Sequence, residues 1–155
     1  MIDKETLAMD EKTFKKTEGV LYNYKDLEVE IKAVELAIKE LEIDYKGCRG
    51  IGYEERTGET YRINRPIEDE IIYKEKYIEK LELEIEKKKI LKEKIENAIR
   101  ILDDRESEII KLRYFIKPKK SWVAIGMEVK MDKDYCSLIC KEQIIPKLAN
   151  ILWNY

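Results

Sequence analysis

Histidine is absent from the 155-residue chain, and cysteine, proline, phenylalanine and tryptophan occur only three, three, two and two times. Without histidine, the commonest general base and the commonest metal ligand are both missing. Cys48, Cys136 and Cys140 are an odd number of thiols. A disulfide framework is not expected from them, and a reducing cytoplasm is the compartment they suggest. Cys136 and Cys140 stand four apart on one helical face, but a closed four-ligand zinc site could not be completed without carboxylates. They read instead as small buried hydrophobes, so neither metal nor cofactor is expected. No apolar run nears the roughly 20 residues that span a bilayer, and no targeting segment is visible. Gly-rich phosphate loops and the Gly-x-Ser-x-Gly elbow are missing too. The acidic pairs Asp103-Asp104 and Glu54-Glu55 read as caps and solubilising charge rather than as an acid–base couple. An enzyme is not expected.

What the chain does have is charge, 41 % of residues, beside 44 % hydrophobic residues, with only six glycines. That balance favours long amphipathic helices over strands and leaves enough apolar surface for a core. The net charge of −2 is unevenly divided. Residues 105–155 carry ten Lys and Arg against six Asp and Glu, whereas 1–104 carry 21 against 27. The basic surplus falls in the last third.

From about Thr17 to Lys46, Val20, Tyr24, Leu27, Ile31, Val34, Ile38, Leu41 and Tyr45 follow one another at alternating spacings of four and three. This is a coiled-coil seam, and it must lie against another helix of the same chain or of a second copy. Residues 47–66 hold four of the six glycines and lack helical periodicity, which marks a loop. Thr57-Gly58, flanked by Tyr53 and Tyr61, is the one place there where a short hairpin could form. Pro66 and the acids Glu68, Asp69 and Glu70 suit the first turn of a second helix reaching about Leu102. Its stripe is Ile67, Ile71, Ile78, Leu81, Ile85, Leu91, Ile95, Ala98 and Leu102, interrupted by lysines 87–89. The expected architecture is all-α. A long antiparallel, coiled-coil-like helical hairpin (1–102, with the irregular loop 47–66) precedes a helix-turn-helix domain (103–155).

In that last domain Asp103 or Asp104 can cap a helix over Arg105–Phe115, with Ile109, Ile110, Leu112 and Phe115 inward. A basic turn around Pro118 follows. Ser121 then caps Trp122–Val129, Lys130-Met131-Asp132 form a three-residue turn, and Asp132 caps a helix starting at Lys133. Helix, tight turn and helix is the spacing of a helix-turn-helix. Ile125, Val129, Cys136, Ile139 and Cys140 face inward, Trp122 anchors the first helix, and Gly126 makes room for the second. Lys133, Asp134, Tyr135, Ser137 and Lys141 are left facing outward, where a recognition helix meets base edges in the major groove. Arg113, Lys117, Lys119 and Lys120 are the expected phosphate contacts, with Ser121 beside them at the helix start. Pro146 should kink or end the recognition helix, with Lys147–Trp153 forming a last short helix.

The stretch from Leu102 to Leu148 resembles region 4 of bacterial sigma factors. Leu102, Glu106, Leu112-Arg113-Tyr114, Trp122, Ile125 and Lys147-Leu148 carry the likeness. Gly126 stands where that pattern has Ala, Lys130 where it has a turn Gly, and Asp132 where it has a capping Ser. Over roughly 17–152 the chain is further similar to the ArpU-type family of phage late transcriptional regulators. The matching features are Leu21, Tyr22, Tyr24 and Leu27, the Gly50–Glu55 loop, the Pro-Ile-Glu helix start and the sigma-like end. The resemblance implies a sequence-specific activator of late genes that binds double-stranded DNA and engages RNA polymerase. The small basic surplus and the arginine-poor reader helix suggest, separately, that the coiled-coil hairpin brings copies together as a homo-oligomer. Two alternatives come from other classes: a small terminase-like DNA-packaging subunit, and a protein-docking module of the anti-sigma or scaffold kind.

Overall fold

The computed structural model describes the backbone of residues 9–49 and 65–153, and the side chains of 9–44 and 68–153. The described residues form helices and turns, with no strand among them. Helix α1 is Glu11–Arg49 and α2 is Arg65–Ile99. Helix α3 (Asp104–Ile110) runs directly into a π-helical turn, Lys111–Phe115. Helix α4 is Trp122–Val129. Helix α5 (Lys133–Ile139) continues through a second π turn, Cys140–Ile144, into α6 (Ile145–Trp153). The expected hairpin at Thr57-Gly58 and most of the 47–66 loop lie outside the described residues. Residues 47–49, 65 and 66 belong to α1 and α2, a correction to the expected loop limits. No helix among the described residues is long and apolar enough to cross a membrane.

The described residues pack as two compact units, one from those within 29–89 and the other from 9–28 with 90–153. The grouping therefore differs from a division at 102/103, which follows the change in periodicity. In the smaller unit, Ile31, Ile38, Leu81 and Ile85 form the buried core, flanked by Val34, Ala37, Leu41 and Ile78. The lysine run does not shift the stripe. Lys88 stands three residues after Ile85, stays half-buried and reaches Glu30 at 2.6 Å, while Lys89 lies 3.7 Å from Glu35. A charged pair thus fills one seam position.

The larger unit carries the main core, built from Leu21, Leu27, Ile95, Ala98, Ile109, Ile110, Tyr114, Ile125, Cys136, Ile144, Leu148 and others. Helix α1 begins six residues before the expected Thr17. Thr17 is itself fully buried; its hydroxyl donates to the Thr13 carbonyl (2.8 Å) and accepts from Trp153 Nε1 (3.0 Å). An apolar pattern cannot register a seam position held by a hydrogen-bonded threonine, so the start was hidden. Helix α2 ends at Ile99, short of Leu102. Arg100, Ile101 and Leu102 close it with three-residue backbone bonds to Asn97, Ala98 and Ile99.

Candidate nucleic-acid interface

The region that positions the candidate residues is built around three capped helix starts. Asp103 Oδ1 accepts from Glu106 N (2.8 Å), and this hydrogen bond holds the Asp103 carboxyl below its ordinary value. The Ser121 hydroxyl accepts from Ala124 N (3.3 Å), and Asp132 Oδ2 accepts from Asp134 N (3.1 Å) and Tyr135 N (3.4 Å). Each satisfies an otherwise orphaned N–H at the start of a helix. Between α4 and α5, Lys130 takes the left-handed conformation (φ 57°), and Met131 N donates to the Gly126 carbonyl (2.9 Å). A Cβ at Gly126 would stand 2.7 Å from the Met131 carbonyl oxygen and 3.3 Å from Lys133 N. Glycine is therefore required for α5 to approach this closely.

Tyr114 locks the layers beneath. It is buried, its hydroxyl donates to Glu18 (2.8 Å), and Cys140 Sγ lies 3.8 Å away. Burial raises its pKa well above the usual tyrosine value. Burial likewise pushes the Cys140 thiol up to about 11 and raises Cys136. Both cysteines are buried and free, and no group of three or more potential metal ligands occurs among the described residues. Glu106 and Lys147, joined at 2.8 and 3.1 Å, tie α3 to α6. The π turn at Cys140–Ile144 widens the helix just before Pro146, which has no N–H to donate, and the helical path continues to Trp153. Pro146 therefore neither ends nor isolates the last helix.

The candidate DNA-contacting residues divide into two groups. Lys133, Asp134, Tyr135 and Lys141 are exposed on or just beyond α5, and Ser137 is half-buried there. Lys133 and Lys141 form no ion pair with any described residue. The second group is engaged inside the unit. Arg113 Nη1 donates to the Lys120 carbonyl (2.9 Å), and its guanidinium lies 4.6 Å above the Trp122 ring. Lys117 pairs with Asp26, Lys120 pairs with Glu128, and Lys119 lies 5.6 Å over the Tyr22 ring. The exposed pairs are weak enough to exchange for phosphate, whereas Arg113 is half-buried and fixes the basic turn to α4. Ser121 is occupied by its cap.

Sequence reasoning passed over two features of this surface. Lys130, whose place in the sequence marks it only as a turn residue, is exposed beside the start of α5. Val123 and Met127, four apart on α4, are also exposed, Met127 at 76 %. The second could have been read from their spacing relative to Ile125 and Val129, which point inward. No protein-family model, curated protein or solved structure matches the chain, so the chemistry of this surface rests on its own residues.

Proposed function

We propose that the chain is a sequence-specific DNA-binding transcriptional regulator that reads the major groove with α5, α4 and α5 acting as a helix-turn-helix like that of sigma factor region 4. The observation that carries this reading is the α4–α5 corner. The left-handed Lys130, the close approach at Gly126 and the Asp132 cap present the first turn of α5 outward, with Lys133, Asp134 and Tyr135 exposed. Lys117, Lys119 and Lys120 supply phosphate contacts, and Arg113 acts by orienting their turn against Trp122. The phage late regulators of the ArpU type are the family to which this reading corresponds. RNA polymerase is then the natural protein partner.

The long helices act as a hairpin that brings copies together. Ion pairs and hydrogen bonds within the chain support the antiparallel pairing of α1 and α2. Tyr24 donates to Glu96 (2.8 Å) and Glu28 pairs with Lys92, so four residues forward on α1 match four residues back on α2. The exposed Val123 and Met127 favour a second reading, in which α4 docks on a protein rather than lying across DNA.

Selection from a randomised duplex library, followed by fluorescence anisotropy at moderate salt, tests the main reading. The selected duplex should bind at least tenfold tighter than a shuffled one, and the Lys133→Glu/Lys141→Glu double variant should lose that preference. Each phosphate-binding lysine removed from the 117–120 turn should lower the salt dependence by about one ion. Failure to enrich any sequence would sink DNA reading. Activity surviving in the double variant would favour protein docking.

A further inference from the structure

The seam that the heptad pattern predicts is filled within the chain, because Ile31 and Ile38 pack with Leu81 and Ile85. A second stripe on α1 is not. Val29, Leu36 and Ile43 recur every seven residues and are 69 %, 48 % and 68 % exposed. These positions lie on the side of α1 away from its core, where a two-helix pairing ordinarily places charge. With Ala33 and Glu40, both exposed, they make a run Val29, Ala33, Leu36, Glu40, Ile43 at spacings of four, three, four and three. The outward positions of α2 repeat this only in part: Leu83 and Ile90, both 53 % exposed, stand seven apart, but Lys76, seven before Leu83, ends the run.

We infer that this outer stripe of α1 is the surface on which a second copy of the chain docks, α1 against α1 in parallel. The inference rests on the reading that the long helices bring copies together, and it names the face and the direction.

The charges beside the stripe choose both partner and direction. Lys32 and Lys39 lie along one flank, and Glu30, Ala37 and Asp44 along the other. In a parallel pair, the flank of one helix meets the opposite flank of its neighbour five residues further on. Lys39 of each copy then faces Asp44 of the other, twice by symmetry. An antiparallel pair would set lysine against lysine and acid against acid. Lys39 and Asp44 form no ion pair with any described residue, so both are available. Glu40 meets its own counterpart across the two-fold axis and weakens the pair. The stripe spans about 21 Å at the helical rise of 1.5 Å per residue. One helix pair of that length buries less than the roughly 1,200 Å² of a stable complex, so association is concentration-dependent.

Sedimentation equilibrium of the full chain without DNA, over a concentration series, tests this. The mass should rise from 18.5 kDa toward twice that value. Leu36→Glu should hold it at the monomer mass, and Glu40→Leu should lower the midpoint concentration at least tenfold. Lys39→Asp should weaken association, and adding Asp44→Lys to it should restore the wild-type midpoint. Far-UV circular dichroism checks that helicity is kept. If Leu36→Glu loses helicity, Val29→Lys at the most exposed position replaces it. A wild-type chain that stays monomeric throughout overturns association itself. A dimer indifferent to Leu36→Glu and Glu40→Leu overturns this face while leaving association standing. Failure of the charge exchange overturns the parallel direction.

Discussion

The two compact units use the same two long helices in different ways. In the unit of residues 29–89, four buried aliphatic residues form the core, and the Lys88–Glu30 pair fills one further seam position. In the unit of 9–28 and 90–153, α1 and α2 share a core with every later helix, and fully buried residues such as Ile125, Ile144 and Leu148 interlock. The difference teaches that heptad spacing alone fixes which side of a helix is covered, not how deeply. Depth comes from additional layers. Stability should therefore be concentrated in the larger unit.

The largest expected effect breaks that comparison most directly. Leu148→Ala should cost about 2–5 kcal/mol, the range for truncating a fully buried leucine in a close-packed core. Ile38→Ala, in the thin core, should fall near or below the bottom of that range, because its surroundings can collapse and admit water. Urea unfolding of both variants decides it; equal losses would mean that the smaller unit is as tightly built as the larger.

Gly126→Ala comes next. Its new methyl would meet backbone atoms of the α4–α5 turn, which cannot swing aside as a flexible side chain can. A loss of about 1–3 kcal/mol is expected, typical of overpacking. On the proposed DNA-reading role, binding to the selected duplex should fall further than stability alone explains, because α5 must shift. Unchanged binding in a folded Gly126→Ala protein would separate α5 placement from recognition.

Tyr114→Phe is smaller. It removes the hydroxyl that joins Glu18, on α1, to the layer holding Cys140. The loss should be about 0.5–1.5 kcal/mol, that of one net hydrogen bond. Thermal unfolding reads it, and a neutral result would show that the packed ring carries the whole contribution.

The smallest effect sharpens the larger unit's pH response. The Asp103 carboxyl is held below its ordinary value of 3.8, chiefly by the hydrogen bond from Glu106 N. A depressed folded-state value means that the charged cap stabilises fully above the ordinary aspartate range. It is lost as pH falls through the lowered folded value. Asp103→Asn keeps a capping oxygen without the charge. The stability difference between wild type and this variant should be constant near neutral pH and vanish in acid. A difference that persists in strong acid would remove the charge from the account.

Much of this was legible in the sequence wherever the controlling interaction is local. Asp103, Ser121 and Asp132 cap the helices that follow them, because a short polar side chain reaches an N–H two or three residues on whatever the rest of the fold does. Gly126 could be read as a close-approach site because a steep helix crossing leaves no space for a side chain. The start of α1 was not legible, since Thr17 occupies its seam position through a hydrogen bond from Trp153, 136 residues away. Nor was the engagement of Arg113 with Trp122 and the Lys120 carbonyl. Exposed and spent arginines have the same letter.

The sequence by itself determined that the described chain is helical, that α4 and α5 begin at Trp122 and Lys133, and that Lys133, Asp134 and Tyr135 stand clear of the core. Those follow from periodicity and capping, which act within a turn or two. Only the tertiary structure decided that residues 9–28 pack with 90–153, that Lys88 fills a seam position, and that a second aliphatic stripe on α1 is left uncovered. Each depends on which distant side chains meet, and spacing along one helix does not encode the identity of its neighbour.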